Sequence, residues 1–178
     1  MLNEKQIIKQ VLKGDSSSFG FFVDQYQDMA LTIAFRILKN RQEAEDVVQN
    51  AFVKAYYNMH TYSSKSKFST WFYRIVYNTA ITTFNKIKKR GEADYIENLT
   101  EDSQKIVFES NENSELQERK ESVNKAVERL PKNEAIVVTL YYLEEYSVSE
   151  IAEIMTLTKS NVKIILFRAR KKLHDILK

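Results

Sequence analysis

Seven basic residues crowd positions 159–178, namely Lys159, Lys163, Arg168, Arg170, Lys171, Lys172 and Lys178, against a single acid, Asp175. Ser160 and Asn161 sit among the first of them. Such a set does non-covalent chemistry: guanidinium and ammonium groups hold phosphate oxygens, and short polar side chains at a helix start reach base edges. A second set runs from Tyr62 to Arg90. Tyr62, Ser63, Ser64, Lys65 and Lys67 make a polar stretch, after which Phe68, Trp71, Phe72, Tyr73 and Tyr77 interleave with Arg74, Asn78 and Asn85, ending in Lys86, Lys88, Lys89 and Arg90. Rings among cations suit unstacked bases, because any base stacks on a ring while its backbone meets positive charge. Rings at helical spacing also suit a core: Trp71, Phe72 and Ile75 read as packing, and Tyr73 and Tyr77 stay open between the two roles. A third set, Asp46, Gln49 and Asn50 at i, i+3, i+4, serves either solvation or docking, and periodicity alone does not choose.

Other chemistries are excluded by what is missing. The chain has no Cys and only two His, His60 and His174, so thiolate and histidine-based metal centres are not expected. Acidic pairs such as Glu43 with Asp46 have no His or Cys beside them, and three Gly supply no glycine-rich phosphate loop. The reading is a non-enzyme with no cofactor and no small-molecule substrate. No apolar segment follows Met1 and no apolar run approaches a membrane span, so a cytoplasmic protein without membrane insertion is expected. The net charge of +3 is modest for gripping DNA unaided, which points to a partner.

These residues need helices to position them. Three Gly and one Pro, Pro131, are too few turn residues for a many-stranded sheet, and 3.6-residue periodicity recurs throughout the 178 residues, so the fold class is all-α. Asn3 caps a first helix ending near Gly14, and Asp15 or Ser16 restarts one with Phe19, Phe22, Val23 and Tyr26 inward, continued by Ala30, Ile33, Ala34, Ile37 and Leu38. Asn40 with Glu43 opens a helix whose stripe is Ala44, Val47, Val48, Ala51, Phe52, Ala55 and Tyr56. Ser69 caps the aromatic helix to about Lys88. Near the end, Ser147 and Glu150 form a capping box for a helix to Met155, Thr156 to Thr158 make a turn, and Thr158 caps the basic helix, with Val162, Leu166, Ala169 and Leu173 inward. A helix, a tight turn and a second, basic helix together are the arrangement of a duplex reader.

Between these halves the composition shifts. From Glu92 to Glu121 ten acids face three bases, which reads as a flexible acidic linker. Helical periodicity returns from Ser114, with Leu116, Val123, Val127 and Leu130 inward. Pro131 ends that helix, and Ala135 to Glu144 follows with Ile136, Val137, Leu140, Tyr141 and Leu143 inward. The expected organisation is two small helical domains, 1–90 and 116–178, joined by a linker over 91–115.

Two strings carry a resemblance to a known family. AEDVVQNAFVKAY (Ala44–Tyr56) with KFSTWFYRIVYNTAI (Lys67–Ile81), then ERLP (Glu128–Pro131) with YSVSEIAEIM and NVKIILFRARKKL (Asn161–Leu173), resemble the sigma-70 family of RNA polymerase sigma factors. The likeness is to the extracytoplasmic-function (ECF) group, which keeps only regions 2 and 4. It covers both domains and leaves the linker outside.

The resemblance implies a transcription initiation factor that binds core RNA polymerase, reads promoter DNA at the minus-ten and minus-thirty-five elements and promotes melting. Asp46, Gln49 and Asn50 match positions facing the clamp helices of the polymerase largest subunit. Tyr62, Ser63, Ser64, Lys65 and Lys67 match the loop that captures a flipped base, with Tyr73, Arg74, Asn78, Lys86, Lys88, Lys89 and Arg90 along the same strand. Lys159, Ser160, Asn161 and Lys163 match the helix start that enters the major groove, while Arg168, Arg170 and Lys171 lie where phosphates or acidic neighbours are held. The resemblance further implies an anti-sigma factor as partner. Asn50, Tyr77, Thr82 and Ile165 depart from the family's common Glu, Arg, Asp and Arg. Tyr77 and Ile165 thereby remove two phosphate anchors. The rival reading is an autonomous helix-turn-helix regulator that binds duplex DNA without polymerase.

Overall fold

The computed structural model describes residues 3–91 and 122–177, and every described element is helical. The chain divides into two units, Met1–Glu101 and Asp102–Lys178. The expected acidic linker, from Glu92 onward, and Leu116 lie outside the described residues.

In the first unit, Asn3 opens α1 (Glu4–Leu12) through a capping box with Gln6. Asp15 then caps a short 3-10 turn, Ser16–Phe19, accepting from the Ser17 hydroxyl at 2.6 Å and from the Ser17 backbone N–H at 3.1 Å. The Ser17 and Ser18 hydroxyls, by favouring the charged form, hold this carboxyl below its usual range. The chain continues as α2 (Gly20–Leu38), and Lys39 stops it in the left-handed conformation at φ 55°. Asn40 accepts from the Glu43 N–H at 3.0 Å and starts α3 (Arg41–Asn58).

The expected inward stripes of α2 and α3 are buried from Ala30 to Leu38 and from Ala44 to Ala55, and the two helices pack on each other and on α4 (Phe68–Lys89). Alanines 30, 34, 44, 51, 55 and 80, all fully buried, let these backbones approach closely. Rings fill what remains: Phe22 lies 4.1 Å from Phe68, and Phe52 stacks on Phe72 at 4.5 Å. Ser69 does not cap α4, because the helix already starts at Phe68, with Lys67 as an N-cap that makes no side-chain hydrogen bond, and Ser69 is buried within the first turn. Burying a phenylalanine is worth about 1.5–3 kcal/mol against about 1 kcal/mol for a cap, so the Phe68 ring sets the start.

The second unit begins, within the described residues, with a helical segment at 122–128, here α5. Pro131, extended at ψ 144°, separates it from α6 (Lys132–Val138), as the missing N–H and fixed φ of proline require. The helix expected to run straight to Glu144 instead widens into a π turn over Thr139–Leu143, with Thr139 donating back to the Ala135 carbonyl at 2.8 Å. The wider turn shifts the register, so Leu140 stays buried while Leu143, expected inward, is exposed. Val123 is also exposed: it lies one turn before the cluster of Val127, Leu130, Ala135, Val138 and Ala169. Ser147 and Glu150 form the expected capping box of α7 (Val148–Met155), and α8 (Lys159–Leu177) packs against α6 and α7.

Candidate nucleic-acid interface

The turn between α7 and α8 is built from local chemistry. Thr156 takes the left-handed conformation at φ 55°, and the Leu157 N–H returns to the Ala152 carbonyl at 2.9 Å, closing α7. Thr158 Oγ1 accepts from the Asn161 N–H at 3.2 Å, which starts α8. Val162, Leu166 and Ala169 are buried, so the helix has one inward face and an outward line of Ser160, Lys163, Ile164, Phe167 and Lys171. Lys159, Asn161, Arg168 and Arg170 flank that line and are exposed.

The cations are not equivalent. Arg170 Nε donates to Tyr142 Oη at 2.5 Å, and its guanidinium lies 5.7 Å from the centroid of that ring, which ties it to the π turn. Lys172 bonds the buried Glu134 of α6 at 2.8 Å. Lys159, Lys163, Arg168 and Lys171 stand outward, and no acid occurs between Lys159 and His174.

In the first unit, the chain leaves α3 through a 3-10 turn, Met59–Thr61, anchored by the buried Met59. The stretch from Tyr62 to Lys67 is a loop closed on itself: Tyr62 Oη donates to the Ser66 carbonyl at 2.7 Å, and the Tyr62 ring lies 5.5 Å from Trp71 and 5.6 Å from Phe68. Ser64 sits at φ 56°, and Ser63, Ser64, Lys65 and Lys67 point to solvent. On α4, Arg74, Asn78, Lys86, Lys88 and Lys89 are exposed, as is Arg90 at its C-cap. Tyr73 is not. It is 4% exposed and packs edge-on to Tyr26 at 5.9 Å, so its ring belongs to the core and is withdrawn from base stacking. Tyr77 is buried too, and desolvation raises its pKa.

Two features had no counterpart in the sequence reading. Between α3 and α4 lies a cleft of about 360 Å³ lined by Lys54, Asn58, Thr61, Trp71, Ile75, Asn78, Thr79 and Thr82, with Lys54 Nζ bonded to Thr79 Oγ1 at 3.1 Å. It adjoins the loop through Trp71 and Thr61. The second feature is on the outer face of α3. Asp46, Gln49 and Asn50 are exposed, and the same line continues into Val53, 53% exposed, and Tyr57, 72% exposed. The available signal was apolar residues at an outward register, i+7 and i+11 from Asp46. Among the described residues no group of three or more acids or histidines is placed to hold a metal, and no helix is long and apolar enough to cross a membrane.

Comparison with known proteins adds the rest. Residues 22–90 match the family model Sigma-70 region 2, and residues 120–173 match Sigma-70, region 4. The ECF RNA polymerase sigma factor SigW of Bacillus subtilis is 35% identical over 184 residues, covering 98% of this chain and 96% of that protein. In fold the chain is similar to CnrH, solved in complex with the cytosolic domain of CnrY, with a TM-score of 0.65, 20% identity and coverage of 96% and 94%. It is also similar to the sigma factor RpoE of Bartonella quintana, solved with the anti-sigma factor NepR, with a TM-score of 0.62, 22% identity and coverage of 89% and 96%.

Proposed function

The chain belongs to the sigma-70 family of bacterial RNA polymerase initiation factors, in the ECF group, and directs core polymerase to promoters; on that premise we propose how its surfaces divide the task. The outer face of α3, through Asp46, Gln49 and Asn50 and onward to Val53 and Tyr57, docks on the clamp helices of the largest polymerase subunit. The Tyr62–Lys67 loop, with Arg74, Asn78 and the cations Lys86, Lys88 and Lys89 of α4 and Arg90 at its C-cap, holds the single strand of the minus-ten element. The opening of α8, through Lys159, Ser160, Asn161 and Lys163, enters the major groove at the minus-thirty-five element, and Arg168 and Lys171 hold phosphates beside it. Arg170 braces α8 against Tyr142 and acts on DNA through that bracing.

The observation that carries this division is chemical. The outer line of α3 holds a carboxylate, two amides and two apolar side chains, while the outer line of α8 stands among four outward cations with no acid before Asp175. The first composition suits a protein partner, in which charge is sparse and an aromatic anchors the contact; the second suits phosphate. The factor itself catalyses no reaction, acts in the cytoplasm beside the polymerase, and is held inactive by an anti-sigma partner that covers the α3 face. Residues 1–90 and 116–178 act as the two functional parts, with the acidic stretch between them lying along the basic channel of the polymerase.

The test is gel filtration of the full chain with core polymerase, followed by promoter binding. Asp46→Ala with Gln49→Ala is expected to weaken co-elution while leaving helicity unchanged, and Lys163→Ala to weaken upstream recognition while sparing co-elution. Normal co-elution of the double variant would remove the α3 assignment. The autonomous regulator is not favoured, since the likeness to SigW runs the length of the chain through both units.

A further inference from the structure

The outward line of α8 carries more than charge. Ile164 is 48% exposed and Phe167 is 70% exposed, side by side at i, i+3 in the middle of a surface framed by Lys159, Lys163, Arg168 and Lys171. Single exposed apolar residues are ordinary on protein surfaces, but an adjacent pair inside a cationic frame fits an occupant with an apolar centre and several anionic groups. One segment of this chain has that composition. Ile106, Val107 and Phe108 are the longest apolar run between Gly91 and Ser122, and Glu109, Glu112, Glu115 and Glu118 follow with no base before Arg119. Four acids behind an apolar triplet thus complement four cations around an apolar pair.

We propose that residues 106–118 occupy the outer face of α8 in the free factor, with the apolar triplet on Ile164 and Phe167 and the four glutamates among the cations. The consequence for promoters rests on the reading above, in which α8 meets upstream DNA. Segment and face belong to the same unit, Asp102–Lys178. Reach permits the contact: Phe108 precedes Ser122, where α5 begins, by fourteen positions, about 46 Å of extended chain, whereas α8 is about 29 Å long. The tether is also anchored beside its target, because Val127 of α5 packs in the cluster that holds Ala169 of α8. Residues 109–118 extend to about 30 Å, enough to lay acids along the roughly 18 Å from Lys159 to Lys171. A second copy of the chain would bring the same cations to the face and be repelled. A separate protein would have to compete with a segment that its tether holds at about millimolar effective concentration. The segment and duplex DNA need the same surface, so the free factor grips DNA weakly. Core polymerase, whose basic channel takes up the acids, clears the face.

The experiment uses the full chain. It has no cysteine, so Ser110→Cys supplies a single site for a spin label. The amide signals of α8 from Lys163 to Lys171 are expected to broaden in the free factor and to recover when random-sequence duplex DNA is added. Ile106→Ser with Phe108→Ser leaves the charge unchanged. It should abolish the broadening and tighten duplex binding by the free chain roughly tenfold, as release of a face left open about one-tenth of the time does. Absence of broadening on α8, or broadening confined to the first unit, overturns the proposal. Broadening carried only from a spin-labelled copy to an unlabelled one also overturns it and makes the occupant a second copy. Broadening on α8 that persists in excess duplex DNA upholds the docking and sinks instead the assignment of α8 to DNA, so the two failures are distinct.

Discussion

The outer faces of α3 and α8 share one geometry and differ in chemistry. Asp46, Gln49, Asn50, Val53 and Tyr57 follow the spacing i, i+3, i+4, i+7, i+11, and so do Ser160, Lys163, Ile164, Phe167 and Lys171. Each line lies opposite a buried stripe, of Val47, Ala51 and Ala55 in one helix and of Val162, Leu166 and Ala169 in the other. Each also places two large apolar residues in solvent. Periodicity therefore decides which side of a helix is free, and the side chains around the apolar pair decide what that side is free for. A carboxylate and amides leave room for a protein; a rim of cations calls for phosphate.

The outer face of α3 depends most heavily on the core beneath it. Phe72, fully buried and stacked on Phe52 behind α3, should cost about 3–5 kcal/mol when cut to alanine. Denaturant unfolding should show the first unit destabilised and core binding lost with it. An intact α3 face in that variant would mean that the helix holds its shape without the aromatic core.

A smaller change acts on the face itself. Tyr57→Ala should weaken core polymerase binding by about 2 kcal/mol, roughly thirtyfold, as truncation of an aromatic anchor does. Titration of core with labelled chain reads this directly, and an unchanged affinity would reduce the apolar end of α3 to plain solvent surface. On the other helix, Lys163→Ala should lower upstream-element binding by roughly tenfold or less. If the lysine holds a phosphate, the slope of log affinity against log salt should fall by about 0.9; if it holds a base edge, the slope should stay and the sequence preference relax. The smallest effect concerns support. Ser147→Ala removes one half of the capping box under α7 and should lower the stability of the second unit by about 1 kcal/mol in thermal unfolding, with no effect on α3 or its partner.

Local chemistry was the part of this molecule that the sequence showed most clearly. Asn3, Asn40, Ser147 and Thr158 each accept a backbone N–H within a turn of their own position, so nothing distant bears on them. The buried stripes of α2, α3 and α8 were equally legible because one period describes a whole helix. Harder features depended on partners far along the chain. Ser69 had the right residue type for a cap, yet Phe68 was drawn into the core by Phe22, forty-six positions away, and the helix began earlier. Tyr73 carried a ring and a hydroxyl that fit either role, and Tyr26 of another helix decided for the core. The π turn at Thr139–Leu143 has no periodic signature of its own, so a plain helical period puts Leu143 inward where the structure exposes it. Apolar residues at outward positions, such as Tyr57 and Phe167, leave no signal in a periodicity that marks only the buried stripe.

The hydrogen bond from Tyr62 to the Ser66 carbonyl has a kinetic meaning. It ties the ends of a short loop together before any strand arrives, so the backbone of Ser63, Ser64 and Lys65 is already in shape. Ordering a residue at encounter costs about 1–2 kcal/mol, and here that entropy is lost once, during folding, instead of at each binding event. On the proposed reading, a strand held by this loop would register its contacts as dwell time: arrival would need no rearrangement of the loop, and departure would be set by the contacts alone.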